Sequence, residues 1–325
     1  MSPFLDVKWA AFRQLTQIRA IRSLIRALRF LYGKQPVPLN HWLHCRSIIK
    51  LFCHAADPFF SARSSTQFDC ASLPVKDLAD FLRYDSITGW TLDGETITFL
   101  WNLLQQEQPK LIIECGAGLS TLVLARGLET HGFGSSNARS LVSLEQNLAV
   151  KKVVETRLQR CGLDRHVNVM HSPLSRRGEY QLDPNMLRAH LGSAKADWIV
   201  IDGPSGPDDC RGSTLPLLAP FCHPGTRWFL DDAYRDGELS VLNKWTTLNG
   251  IMVDGIHPIG KGLGTGIVKY PEAIATESNF QLSLDPPTLS RNRNGGTRVV
   301  IHPGCDNTQA GKETCEKPTD NRAEG

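Results

Sequence analysis

The sequence predicts an α/β protein built on a doubly wound, mostly parallel sheet of seven strands, with helices on both faces and an antiparallel last strand. From residue 110 onward, short apolar runs typical of buried parallel strands alternate with longer segments of helical periodicity. Several of these runs end in glycine or in an acidic residue. The last two runs are separated only by a glycine-containing turn, which indicates an antiparallel hairpin.

The elements follow in order along the chain. Strands are predicted at 110–116, 140–146, 166–173, 196–204, 226–232, 250–260 and 263–270. Helices are predicted at 94–107, 120–132 and 147–162, near 212–222, and at 237–248. Ligands of such sheets bind at the carboxyl ends of the parallel strands, so the residues that follow each strand are the candidates for function.

The chain divides into four predicted regions. Residues 1–35 form a basic amphipathic helix, and residues 36–109 form a helical cap region. Residues 110–272 form the core that contains the predicted sheet. Residues 273–325 are rich in Pro, Asn, Gly, Thr and charge, which predicts a mostly disordered tail.

The net charge of +3 is unevenly distributed. Residues 1–34 hold seven basic residues and one acid, so the remainder is slightly acidic, and we expect no nucleic-acid partner. The helix at 9–32 has an isoleucine-rich face flanked by a stripe of arginines. It is interpreted either as a peripheral contact with an anionic membrane or as a helix packed on the body of the protein. The odd number of cysteines, nine, and the absence of a signal-peptide pattern indicate a cytoplasmic protein, at the inner face of the membrane if the helix binds lipid.

A glycine-rich turn follows the first strand. Gly116 and Gly118 allow a tight turn and close approach of the backbone to a ligand, and the next helix points its N-terminus at the same place. A nicotinamide-dinucleotide fingerprint would place a third glycine at position 121, where this chain has Thr121. This departure disfavours a nicotinamide enzyme.

Acidic residues end four of the predicted strands. The first strand contains Glu114, the second ends in Glu145, the fourth in Asp202, and the fifth in Asp231 and Asp232. Because the carboxyl ends of parallel strands meet at one edge of a sheet, we expect these carboxylates to converge.

These features resemble the class I S-adenosylmethionine-dependent methyltransferases over roughly residues 85–270. More narrowly, the chain is similar to a bacterial family of small-molecule or saccharide methyltransferases with DGP-G…R and DDA-R-E motifs. The matching residues are Gly89-Trp90, Glu114 to Thr121, Asp202-Gly203-Pro204, Gly206, Arg211, Leu215 to Leu218, Asp231-Asp232-Ala233, Arg235, Glu238 and Trp245.

The resemblance implies a set of cofactor contacts. Glu114 would orient the amino group of S-adenosylmethionine, and Glu145 would accept hydrogen bonds from the ribose hydroxyls. His171 and Ser172 would lie near adenine, although they are equally well explained as loop residues at a strand end. The full predicted set is Glu114, Gly116, Gly118, Ser120, Glu145, His171, Ser172 and Asp202.

The fourth and fifth strand ends are similar to the magnesium site of catechol O-methyltransferase, which implies Mg2+ held by Asp202, Asp231 and Asp232. The match departs in two places: Asp232 stands where that family has asparagine, and Ser205 where it has its basic lysine. Alternatively, Asp231 and Asp232 cap the following loop or pair with Arg235.

Without a metal, a base must remove the acceptor proton, and the candidates are Asp202, Asp232 and His223. Arg211 and Arg235 could pair with an acidic acceptor. Alternatively, they form ion pairs within the protein, with Asp208, Asp209 or Glu238. The predicted catalytic set is Asp202, Asp232 and Arg211.

The sequence therefore predicts an S-adenosylmethionine-dependent methyltransferase acting on a hydroxyl of a small molecule or saccharide. The alternative is a noncatalytic binding or scaffold protein on the same fold.

Overall fold

The computed structural model describes residues 23, 24, 26–33, 35–43, 92–130 and 141–274. Three predictions fall wholly or partly outside these residues: the first part of the basic helix, the cap region over 44–91, and the tail from residue 275 onward. The boundaries of the four predicted regions stay predictions. Among the helices in the described part of the chain, none combines the length and apolar composition needed to cross a bilayer.

A seven-stranded sheet forms the centre of the described protein, with spatial order β3-β2-β1-β4-β5-β7-β6. The strands are β1 (Ile112–Cys115), β2 (Leu141–Glu145), β3 (Val167–His171), β4 (Ala196–Ile201), β5 (Cys222–Leu230), β6 (Ile251–His257) and β7 (Leu263–Val268). Strands β1 to β5 pair in parallel, whereas β7 is antiparallel to both β5 and β6. The predicted fold class, a Rossmann-like sheet with an antiparallel last strand, is confirmed.

Helices cover both faces of this sheet. They are α1 (Gly94–Glu107), α2 (Leu119–Thr130), α3 (Leu148–Arg160), α4 (Pro184–Leu191), α5 (Thr214–Leu218) and α6 (Asp236–Trp245). Helices α1 to α3 contribute to one apolar layer, and α4 to α6 contribute to the other. Strands β1 and β2 are buried along their whole length, as their apolar sequences require.

Helix α4 was not predicted from the sequence. Asp183 accepts a hydrogen bond from Asn185 N at its start, and Pro184 occupies the first turn. Only Leu187 and Leu191 are buried, so the apolar pattern of this helix consists of two residues at a spacing of four. The Asp183-Pro184 pair, typical of a helix start, is the feature of the sequence that indicates a helix here.

The N-terminal segments over 26–33 and 35–43 pack on the body of the protein. Val37 forms a β-bridge with Ile256, and the ring of Trp42 stacks on Tyr234 with centroids 4.5 Å apart. Arg29, which belongs to the stripe of arginines on the predicted helix, donates a hydrogen bond to the carbonyl oxygen of Pro258. For the described end of the basic helix, the packing interpretation therefore holds, and membrane contact stays a prediction.

Candidate functional site

The turn after β1 lies where the loops after β1 and β4 touch. Gly116 has φ +95°, and a Cβ there would lie 3.1 Å from Gly203 N, so this position requires glycine. Gly118 has open space where its Cβ would be, with nothing within 4 Å. At Gly116 the turn therefore contacts the loop after β4, whereas at Gly118 there is free space beside the backbone.

Glu114 is fully buried beneath this turn. Its Oε2 accepts hydrogen bonds from Thr121 Oγ1 at 2.5 Å and Ser143 Oγ at 2.6 Å, whereas Oε1 has no partner among the described residues. Burial raises the pKa of Glu114 to about 7, although the neighbouring hydroxyl groups of Ser120, Ser143 and Thr121 oppose this rise. A buried carboxylate with one free oxygen suits a cationic ligand group.

Thr121, which stands where a nicotinamide fingerprint has its third glycine, has a structural role in this turn. Its Oγ1 accepts from Gly118 N at 2.8 Å and donates to Glu114, so it links the turn to the buried carboxylate. A glycine here would leave Glu114 with one donor fewer. Ser120 is also buried, and its hydroxyl lowers the pKa of Glu114.

The end of β2 is joined to the same turn. Glu145 accepts from Ala117 N at 3.0 Å and Asn147 N at 2.7 Å, so both of its oxygens are fixed by the backbone. Burial raises the pKa of Glu145, against the effect of these hydrogen bonds. Ser172 Oγ is buried, and no described residue forms a hydrogen bond with it, whereas His171 is exposed.

Gln146 makes a contact that sequence reasoning missed. Its side-chain amide accepts from Ser205 N at 2.8 Å and donates to Ser205 O at 3.2 Å. Gln146 follows β2 and Ser205 follows β4, and β1 lies between those strands. This pair of hydrogen bonds, the Gln146–Ser205 bridge, therefore crosses the carboxyl end of β1.

The three aspartates predicted as metal ligands lie together. One oxygen from each of Asp202, Asp231 and Asp232 lies within 4.8 Å of the others. Burial raises the pKa of Asp202 to about 6, and burial together with the Asp232 charge raises the pKa of Asp231. Burial alone would raise the pKa of Asp232 as well, but Lys261 and two arginines hold it below its ordinary value. Asp232 also has a left-handed backbone with φ +61°, a conformation that aspartate tolerates better than most residues.

Lys261 was not predicted as a site residue. Its Nζ lies 2.9 Å from Asp231 Oδ2 and 2.9 Å from Asp232 Oδ1. The reason is topological: β7 runs antiparallel beside β5, so the β6–β7 turn meets the carboxyl end of β5. The turn sequence Gly260-Lys261-Gly262 was the available signal, but its place depends on strand order.

Arg211 is buried, with 5% of its surface exposed. It donates to the backbone oxygens of Asp202 at 2.6 Å and Asp231 at 3.0 Å, and it lies 3.5 Å from the Glu238 carboxylate. The predicted pairing with Glu238 is thus observed, and Asp209 instead pairs with Lys244. Arg211 supports the carboxylate cluster from below the loop after β4.

Arg235 also faces the cluster, with its guanidinium 2.6 Å from Asp232 Oδ2. The predicted alternative of an Asp232–Arg235 pair is therefore observed.

His223 is excluded as the base. It lies at the start of β5, beside the start of β4, and its Nε2 is 3.3 Å from Asp197 Oδ1. The carboxylate cluster follows the other ends of these two strands. The prediction was wrong because His223 lies at the beginning of its strand, at the opposite end from the carboxylate cluster.

The three carboxylates are of the ligand type that Mg2+ prefers, but their surroundings do not fit a metal ion. The Lys261 ammonium already bridges two of them, and Arg211 lies 3.5 Å from Asp202 Oδ1. A divalent ion here would have to displace a buried ammonium.

No protein-family model and no curated protein matches the sequence. Solved structures similar to this chain include a methyltransferase from Geobacter sulfurreducens, 19% identical, covering 62% of this chain and 93% of that chain with a TM-score of 0.43. An O-methyltransferase from Bacillus cereus in complex with SAH is 18% identical, covering 66% and 96%, with a TM-score of 0.45. The O-methyltransferase TomG from Streptomyces achromogenes, solved with SAM, is 16% identical, covering 66% and 96%, with a TM-score of 0.44. The function proposed below rests on the site itself.

Proposed function

We propose that this protein is an S-adenosylmethionine-dependent methyltransferase that methylates a hydroxyl of a small molecule or saccharide. The single observation that carries the proposal is Glu114: a fully buried carboxylate with one unpartnered oxygen, directly beneath an open glycine turn. Leaving such an oxygen unpaired is costly, and a cationic ammonium would satisfy it.

The residues around this turn fit the rest of the cofactor. Glu145 has lone pairs left for ribose hydroxyls after its two backbone contacts. Ser172 Oγ offers a buried polar atom that the described residues leave without a partner. When bound, S-adenosylmethionine supplies an electrophilic methyl group that an acceptor oxygen attacks in line.

Asp202 is the residue that we propose as proton acceptor. Its pKa of about 6, raised by burial, lies close to neutral pH, where a general base is most effective. Asp232 is the weaker candidate because Lys261, Arg211 and Arg235 all stabilise its charge. Arg211 then acts by holding the acids in place, and no step is derived through Mg2+.

Isothermal titration calorimetry with S-adenosylmethionine tests the proposal. We expect the natural protein to bind, and Glu114→Gln and Glu145→Gln to lose at least about tenfold in affinity, equal to about 1.4 kcal/mol. Glu155→Gln is the matched control because Glu155 lies on α3 and, among the described residues, forms an ion pair with Lys151 at the surface. Absence of binding by the natural protein would sink the proposal.

Acceptors can then be sought with methyl-labelled S-adenosylmethionine and pools of saccharides and small hydroxyl compounds. We expect the labelled methyl group to appear on the oxygen of a former hydroxyl group, as a methyl ether. Asp202→Asn should lower the rate of methyl transfer by about a hundredfold or more. Cofactor binding with no transfer to any pool would favour the noncatalytic alternative.

A further inference from the structure

One ammonium occupies the place among the strand-end carboxylates where a divalent ion was predicted. Lys261 Nζ is 2.9 Å from an oxygen of Asp231 and 2.9 Å from an oxygen of Asp232. The Lys261 side chain is only 16% exposed, and its two partners are almost wholly buried. At this depth a charge pair is screened little by solvent, so these contacts are stronger than a surface ion pair.

The backbone holds Lys261 in this position from both sides. Lys261 N donates to Asp93 Oδ2 at 3.0 Å, at the start of α1. Lys261 O accepts from Tyr234 N at 3.3 Å, and Gly262 O accepts from Ala233 N at 2.9 Å. The turn is thus tied to the segment that follows β5. Lys261 is therefore fixed before any ligand binds, unlike a mobile surface lysine.

With its carboxylates ionised, the cluster has nearly balanced charges without a metal. Arg211 lies against Asp202, and Arg235 lies against Asp232, so each aspartate has a cation within 3.5 Å. The carboxylates are Asp202, Asp231, Asp232 and Glu238, and the cations are Arg211, Arg235 and Lys261. A divalent ion added to this set would turn a small negative excess into a positive one.

We propose that Lys261 takes the place of the divalent metal ion: it holds Asp231 and Asp232 in position and supplies the fixed positive charge of the acceptor site. Lys261 is thus a positioning residue, and the protein needs no metal at this cluster. The role in methyl transfer rests on the function proposed above, whereas the replacement of a metal by an ammonium can be tested separately.

The test measures Mn2+ binding to the full-length protein without cofactor, by electron paramagnetic resonance. We expect no specific Mn2+ binding by the natural protein. Lys261→Met keeps the length of the side chain and removes its charge. The carboxylates of Asp202, Asp231 and Asp232 should then bind Mn2+ at least about tenfold more tightly than they do in the natural protein. Lys244→Met is the matched control, since Lys244 pairs with Asp209 at 2.6 Å outside the cluster, and it should behave as the natural protein does.

Adding Asp202→Asn to Lys261→Met should abolish the gain, which assigns the new Mn2+ to the cluster. A folded Lys261→Met protein that gains no Mn2+ binding overturns the proposal. If Lys261→Met does not fold, Mn2+ binding is measured on the natural protein and on Asp202→Asn alone. Mn2+ binding by the natural protein that is lost in Asp202→Asn overturns the proposal, and no Mn2+ binding by the natural protein supports it. Calorimetry with S-adenosylmethionine reports the proposed function independently, so the two failures are distinguishable.

Discussion

Glu114 is a single residue whose burial costs stability when its carboxyl group is ionised. The fold removes its carboxyl group from water and supplies hydrogen bonds to one oxygen only. The pKa rises from its ordinary value of 4.5 to about 7 because the charged form is poorly solvated. In the unfolded chain the carboxyl ionises at lower pH, so the folded state loses stability as the pH rises through this interval.

Glu114→Gln should remove this pH dependence. A pKa rise of this size corresponds to about 3 kcal/mol once the group is ionised in both states. We therefore expect the variant to be more stable than the natural protein at pH 8, by up to about 3 kcal/mol, and by less than about 1 kcal/mol at pH 5. Urea unfolding at both pH values measures this, with Glu155→Gln as the surface control. If the free energy of unfolding changed with pH by the same amount in the natural protein and in Glu114→Gln, burial of Glu114 would not be the cause of the pH dependence.

At the scale of elements, the two glycines of the turn after β1 differ in what surrounds them. Gly116 has a left-handed backbone and touches Gly203, so a side chain there would meet the loop after β4. Gly118 faces open space and its φ is not positive, so the fold itself tolerates a methyl group there.

Gly116→Ala and Gly118→Ala should therefore fail in different ways. We expect Gly116→Ala to destabilise the protein by at least about 1 kcal/mol, because alanine at positive φ is strained. Gly118→Ala should leave the free energy of unfolding unchanged and weaken S-adenosylmethionine binding. Thermal unfolding and calorimetry measure the two effects. Tight cofactor binding by Gly118→Ala would move the binding site away from this turn.

The same scale shows what could be predicted from the sequence. Strands β1, β2 and β4 were found because buried parallel strands are apolar throughout, and the acids that follow them came with that assignment. Helix α4 was missed because only two of its residues are buried. Lys261 was missed because its partners depend on β7 lying between β5 and β6, and a local pattern carries no information on that order.

At the scale of the whole molecule, the N-terminal segment stabilises the body of the protein. Leu28, Val37 and Trp42 are buried in the same apolar layer as α4 to α6. On the same segment Phe30 and Leu31 are 89% and 71% exposed. The helical residues 26–32 therefore present one face to the body and an apolar pair to solvent.

Trp42→Ala should cost about 3–5 kcal/mol, since a large buried side chain is replaced by a cavity and its stacking on Tyr234 is lost. Phe30→Ala should cost almost nothing because its ring is exposed. Denaturant unfolding of the two variants measures the difference. Equal stabilities would mean that the segment does not pack as described.

We propose that the exposed pair and the basic residues before it contact anionic lipid. Vesicles rich in phosphatidylglycerol should bind the protein, with affinity falling as salt rises, because the attraction is largely electrostatic. Phe30→Ala with Leu31→Ala should weaken binding without changing stability. Sedimentation with vesicles measures this, and binding that is equal on neutral and anionic vesicles would contradict the proposal.

The Gln146–Ser205 bridge lies beside the turn that we propose binds S-adenosylmethionine. It joins the loops on either side of that turn, so we expect cofactor entry and exit to require these loops to separate. Gln146→Ala should raise the association and dissociation rates of S-adenosylmethionine together and leave the equilibrium constant nearly unchanged, whereas Gln159→Ala on α3 should change neither. Stopped-flow fluorescence can follow both steps. We therefore expect this one amide side chain to set how long S-adenosylmethionine stays bound, independently of how tightly it binds.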